Sequence, residues 1–197
     1  AAFGLPADTT VDRAVGEAWA AARTYWKTFA DKRAKLKEGD TGVTLTRRNW
    51  MTLLLGELGY ELEQPAEVEV LNDKPYPVSH RATNRGGLPV HIMGVNDGLD
   101  QRRTSGQPRL SPHALLQEYL NHSEHAYGLV TNGLQLRLLR DSVRLGRPAY
   151  VEFDLERILD EELYPDFAAL YRALHASRMP AGMDAVEEAL IEKYHVQ

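Results

Sequence analysis

Apolar side chains recur every three to four positions over residues 8–37: Val11, Val15, Trp19, Ala22, Trp26 and Phe29, followed by Arg33, line one side of a long amphipathic helix. Thr9, with Asp12 three residues on, resembles a capping box at its start. The stretch DKRAKLKEGDTG at its end reads as a solvated last turn whose cations Lys32, Arg33, Lys35 and Lys37 oppose the helix dipole, in preference to a DNA-facing patch. Thr46 is expected to cap a second helix, Arg47–Leu58, that buries Trp50, Leu53, Leu54 and Leu58 and stops at Gly59. The period then changes to two. Alternation begins at Val68 and Val70, Asn72-Asp73-Lys74-Pro75 reads as a turn into Tyr76–Ser79, and a polar loop (Arg81–Gly87) precedes Leu88–Val95, a central strand. Residues 96–110 have no apolar periodicity and read as an arginine-bearing loop.

Ser111-Pro112 is an N-cap followed by proline at the first helical position, and Leu115, Leu116, Tyr119 and Leu120 share the face of the helix it opens. Two apolar runs then flank Asn132-Gly133, the signature of a type I′ hairpin, and a third strand follows at Tyr150–Asp154. Leu155–Leu163 predicts a short helix, Pro165-Asp166 restarts another carrying Phe167, Leu170, Leu174 and His175, and Pro180-Ala-Gly breaks it before a last acidic helix, Met183–Tyr194. This order predicts an α/β (α+β) fold: a single mixed β-sheet flanked by helices, with helical extensions at both ends. Pro180 is the one candidate boundary, giving a domain over 1–180, with 1–43 as a helical lead-in, and a terminal helix over 181–197.

Composition changes this picture in two places. The chain of 197 residues has no cysteine and no long apolar run, and its opening AAFGLPADTT lacks the basic stretch and apolar core of a secretory signal. The expectation is a cytoplasmic protein with no membrane partner. The net charge of −5 is also unevenly spread: residues 79–149 hold nine arginines and five acids, whereas residues 150–197 hold four basic and eleven acidic groups. The middle segment is the part suited to a polyanion, and arginine suits bidentate phosphate contact. An equal alternative is that its arginines pair with the acidic tail.

The blocks SPHALLQEYLN, YGLVTNGLQLRLLRDS and AYVEFDLERI, with TRRNWMTLLLGELGY, YPVSH and LPVHIMG before them, resemble the N-terminal region of large type IIG-like, adenine-specific restriction–modification and phage-defence DNA methyltransferases. The resemblance spans about residues 44–180. It implies a restriction-endonuclease-like (PD-(D/E)xK-like) fold for 1–180. It further implies a linker role for 181–197 toward a methyltransferase domain, and S-adenosylmethionine as cofactor of the parent protein. This chain has neither an NPPY-type methylation motif nor a glycine-rich methyl-donor loop, so no cofactor is expected in this segment.

Such a nuclease needs an Asp on one strand and a Glu and Lys two apart on the next, because carboxylates anchor the Mg²⁺ that activates water. Here the first candidate strand ends YPVSH, with Ser79 or His80 where the Asp belongs, and the second reads VHIMGVN, without acid or lysine. A displaced metal-dependent site would use Asp97, Asp100 and Glu118, with His80 or His91 as base or ligand. Asp97-Gly98 also reads as ordinary turn chemistry. His122 and His125 lack third and fourth zinc ligands, and Ser111 and Ser177 lack a nucleophile-elbow setting. Candidate DNA-backbone contacts are Arg102, Arg103 and Arg109 on the loop, Arg85 and Arg137. Arg137 shares the wetter strand face with Gln135 and Leu139, where it meets phosphate or pairs with Glu152 or Asp154. The function expected is a non-catalytic, nuclease-like domain that holds DNA or docks to the methyltransferase domain or partner subunits. The alternatives are a protein–protein module using the acidic final helices, or a displaced-site endonuclease.

Overall fold

The computed structural model describes residues 3–6, 8–102, 109–142 and 149–193. It is a mixed α/β structure in which a six-stranded sheet lies between helical layers. The first helix, α1 (Val11–Arg33), begins one residue later than the capping-box reading: Thr10, not Thr9, is the cap, and its Oγ1 accepts the Arg13 N–H at 3.3 Å. Ala14, Val15, Ala18, Ala22, Trp26 and Phe29 form its buried stripe.

The second helix, α2, starts earlier than expected and is composite: Val43–Thr46, a wider π-helical turn Arg47–Met51, and Thr52–Glu57. Thr46 is not its cap. It lies inside the helix, fully buried, and its hydroxyl donates back to the Gly42 carbonyl at 2.9 Å. Leu53 points outward at 39% exposure, while Trp50, Met51, Leu54 and Leu55 are buried. Gly59 (φ 82°) ends the helix as expected. The Gly59 N–H reaches Gly56 O (2.9 Å) and the Tyr60 N–H reaches Leu55 O (3.0 Å), the paired closure of a Schellman motif.

The sheet order is β1 (Leu62–Glu63), β4 (His80–Ala82), β5 (Leu88–Ile92), β6 (Tyr127–Thr131), β7 (Gln135–Arg140) and β8 (Tyr150–Asp154). Every neighbouring pair is antiparallel except β5–β6, which is parallel and joined by a crossover carrying α3 (Pro112–His122). Strands β2 (Glu69–Leu71) and β3 (Lys74–Tyr76) form a separate hairpin. Its turn is Asn72-Asp73, both at positive φ (51° and 61°), so the type I′ geometry expected at Asn132-Gly133 is found here instead. At the β6–β7 turn only Gly133 has positive φ (86°). Asn132 works through its side chain, Oδ1 accepting the N–H groups of Leu134 and Gln135 at 3.0 Å each.

Both sheet faces are covered. One carries α1, α2, α4 (Leu155–Asp160) and α5 (Tyr164–Leu174) over Leu88, Val90, Ile92, Leu129, Leu136 and Leu138. The other carries α3 and the β2–β3 hairpin over Val130 and Leu139. Trp50 ties the first layer to the sheet, packing 5.2 Å from Trp26 and donating its indole N–H to Gly133 O at 2.8 Å. The last segment is less helical than Met183–Tyr194 implies: a single turn at Met183–Ala185 is followed by α6 (Leu190–Lys193). Among the described residues no helix is long and apolar enough to cross a membrane.

Gly94 marks the tightest backbone approach, since a Cβ there would lie 2.1 Å from Thr41 O. Gly94→Ala should therefore lower stability by about 1–3 kcal/mol, as overpacking does. Gly16→Ala on α1, where a Cβ meets nothing within 4 Å, should raise it by about 0.5–1 kcal/mol. Urea-unfolding midpoints of the two variants against the parent chain test both signs.

Candidate functional site

In a sheet with a parallel pair, ligand-binding groups collect beyond the carboxyl ends of those strands. Here that region holds the turn after β5, the start of α3 and the first turns of α2. The π-helical turn directs Arg47 onto the end of β5, where its Nε donates to Ile92 O at 2.9 Å. Burial lowers the Arg47 pKa, and Asp97 partly offsets that. Next to it, Ser79 bridges β4 and β5. Its hydroxyl accepts the Ile92 N–H (2.8 Å), lies 3.2 Å from Val90 O and contacts His80 Nδ1 (2.8 Å), while its own N–H points to His91 Nδ1 (3.3 Å). His80 and His91 are 3% and 4% exposed. Burial, reinforced by the charge of Arg47, pushes the His80 pKa down to about 4, so His80 is neutral at pH 7.

The second cluster centres on Arg137, in the middle of β7. The wetter face assigned to this strand is in fact covered: Arg137 is 4% exposed and Leu139 fully buried. Its guanidinium grips Asp100 with two hydrogen bonds (2.7 and 2.8 Å), while its Nε donates to Glu152 on the neighbouring strand at 2.5 Å. His113 Nδ1 is 3.2 Å from one terminal nitrogen, and the Tyr150 ring lies 4.9 Å away. The cross-strand pairing with Glu152 is thus present. Asp100 is held below the usual carboxylate range, first by its hydrogen bonds from Arg137, and His113 is lowered by burial and then by Arg137. Two carboxylates already answer this guanidinium, which makes it a clasp between the post-β5 loop, α3 and the sheet edge.

The proposed displaced acids do not converge. The Asp97 carboxylate accepts the Gly94 N–H at 2.9 Å, the turn role that its Asn-Asp-Gly context suggested. Asp100 serves Arg137, and Glu118 on α3 binds Lys74 and the Tyr76 hydroxyl (2.8 Å) across to the β2–β3 hairpin. Among the described residues no group of three or more His, Asp or Glu side chains could hold a metal ion.

Of the candidate DNA contacts, Arg102 and Arg109 are exposed, and Arg103 falls outside the described residues. Arg85 is half-buried, away from that loop: its charge bears on His175, and its Nε has no hydrogen-bond partner among the described residues. A third group was not visible from local pattern: Arg81 lies 4.6 Å over the Tyr119 ring and pairs with Glu69 at 2.6 Å. Glu69 also accepts the Tyr119 hydroxyl at 2.8 Å. Its members lie on separate elements, so local periodicity carries no trace of them. The chain matches no family model, no curated protein and no solved structure.

Two pH effects follow. His80, His125 and His175 all have pKa values lowered by burial from 6.5 to about 4, so between those values only the unfolded chain takes up their protons. Stability contributed by these imidazoles is full above pH 6.5 and is lost as pH falls toward 4; urea midpoints at pH 7.5, 6 and 4.5 should decline in that order, less steeply in His80→Gln. The Asp100 carboxylate acts lower, its contribution being present above the usual 3.8 and lost as pH drops below it. Because its side chain is 71% exposed and screened, Asp100→Asn should cost no more than about 1 kcal/mol at pH 7, and progressively less as pH falls below 3.8.

Proposed function

We propose that this chain is a nuclease-like, non-catalytic domain of a restriction–modification or phage-defence adenine DNA methyltransferase, where it helps hold the DNA backbone or docks to the rest of the enzyme. The observation that carries this reading is what stands on β4 and β5. Three strands in antiparallel succession (β1, β4, β5), a helical crossover and a parallel fourth strand are compatible with the nuclease-like fold that the sequence resemblance implies. At the positions where that layout would offer metal-binding acids, the chain presents Ser79, His80 and His91, with Ser79 hydrogen-bonded to both imidazoles. Asp100 and Glu118, the acids nearest to hand, are engaged by Arg137 and Lys74. S-adenosylmethionine would belong to a methyltransferase domain of the parent protein, and Mg²⁺ would matter only to a displaced-site nuclease.

DNA contact in this reading falls to Arg102 and Arg109, with Arg103 between them in sequence. These are backbone contacts, which give affinity and salt dependence without sequence reading. The chain should bind duplex DNA at low salt, and Arg102→Glu with Arg109→Glu should weaken binding and reduce the slope of log affinity against log salt by about 2. Supercoiled DNA incubated with Mg²⁺ or Mn²⁺ should stay intact. Cleavage that disappears in Asp100→Ala would replace this reading by the displaced-site nuclease. Absence of binding at low salt would leave a protein–protein module.

A further inference from the structure

Strand β8 ends the sheet, and among the described residues no strand pairs with its outer side. Its hydrogen-bond phase is fixed by the Leu155 N–H, which reaches Leu134 O at 2.8 Å. By the alternation of an antiparallel ladder, Val151 and Phe153 turn their main-chain groups toward β7. Tyr150, Glu152 and the Asp154 N–H turn theirs outward.

Side chains divide by face in the same register. Val151, 53% exposed, and Phe153 lie on the α5 side, where Leu138, Val151, Ala169, Ala173 and Ile191 border an apolar cavity of about 820 Å³. Glu192 bonds to two of its lining residues, Arg140 (2.9 Å) and the Tyr127 hydroxyl. Tyr150, 49% exposed, Glu152 and Asp154 lie on the opposite face. That face is acidic: Glu152 and the 71%-exposed Asp100 share the one Arg137 guanidinium, whose side chain is only 5% exposed, and the exposed Asp154 stands beside them, capping the Arg157 N–H.

We propose that β8 is a docking edge for an extended segment of a partner protein in which basic and apolar side chains alternate. Its main chain extends the sheet by one strand. Its apolar side chains cover Val151 and Phe153 at the mouth of the cavity, and its basic side chains lie against Glu152 and Asp154. Strand addition of this kind draws affinity from main-chain hydrogen bonds and selectivity from alternate side chains. Charge decides between partners: a second copy paired antiparallel along the full strand sets Glu152 against Glu152, and a nucleic acid would meet the carboxylates. This surface does not depend on the DNA reading above.

The test is an NMR titration of the full chain with a synthetic peptide alternating lysine and valine, beside a peptide of the same composition with the lysines and valines in two blocks. The alternating peptide should shift the amides of residues 150–154 and bind at least tenfold more tightly than the blocked one, weakening as salt rises. Val151→Lys, a substitution on an exposed side chain, should weaken it at least tenfold. Tyr150→Pro, which removes an outward N–H and no β7 hydrogen bond, should bind less tightly than Tyr150→Ala, which loses the same ring beside Arg137 and His113 but keeps the N–H, while Val151→Lys should keep the parent's melting transition. Equal binding of the two peptides, or shifts elsewhere than β8, overturns the proposal. Self-association of the chain alone that Val151→Lys abolishes also overturns it, by assigning the edge to a second copy.

Discussion

Strands β5 and β6 run side by side in the same direction, and much of the molecule follows from that. Parallel strands cannot be closed by a tight turn, so the chain must leave the end of β5, cross a face of the sheet and return. Residues 93–126 make that crossing, with α3 as the helix within it. All ten residues of the two strands are buried, so each face needs its own helical layer. The loop that begins the crossing has to be fastened to something, and the fastenings are visible: the Asp97 carboxylate on Gly94, the Asn132 amide on Asp97 O, and Asp100 on Arg137.

This explains why polar residues in the middle of the chain are buried. Arg137 joins the loop after β5 to the edge strand, and Ser79 joins β4 to β5 on either side of His80 and His91. Buried polar groups are retained when their hydrogen-bonding capacity is met, and these are met mostly by one another and by main chain. Arg102 and Arg109 have no such duties among the described residues and face water.

Local chemistry was the legible part of the sequence. Ser111-Pro112, the apolar run at Leu88, the strand Tyr150–Asp154, Gly59 and Pro165 each stand where the structure has the corresponding feature, because a cap, a fully buried strand or a glycine stop is specified by a few adjacent residues. Thr46 misleads because a buried threonine can bond back along its own helix as readily as it caps the next. Asn132-Gly133 misleads because the asparagine uses its side chain in place of a left-handed backbone. Met183–Tyr194 has helical composition but little apolar face, and it shortens to one brief helix. Arg137 was the hardest to place: its strand alternates as expected, yet whether a face is wet depends on what the loop residues 96–102 do, and nothing in β7 encodes that.

The contact of α1 with α5 has a temporal consequence. Trp19 packs 5.1 Å from Phe167, and Arg172 pairs with Asp12, so the first helix is completed by an element synthesised long after it. While the sheet is being made on the ribosome, α1 can lean on α2 through Trp26 and Trp50, but its Trp19 end has no partner until residue 167 is clear of the exit tunnel. From the synthesis of α1 until that of α5 the growing chain therefore carries a half-covered aromatic helix.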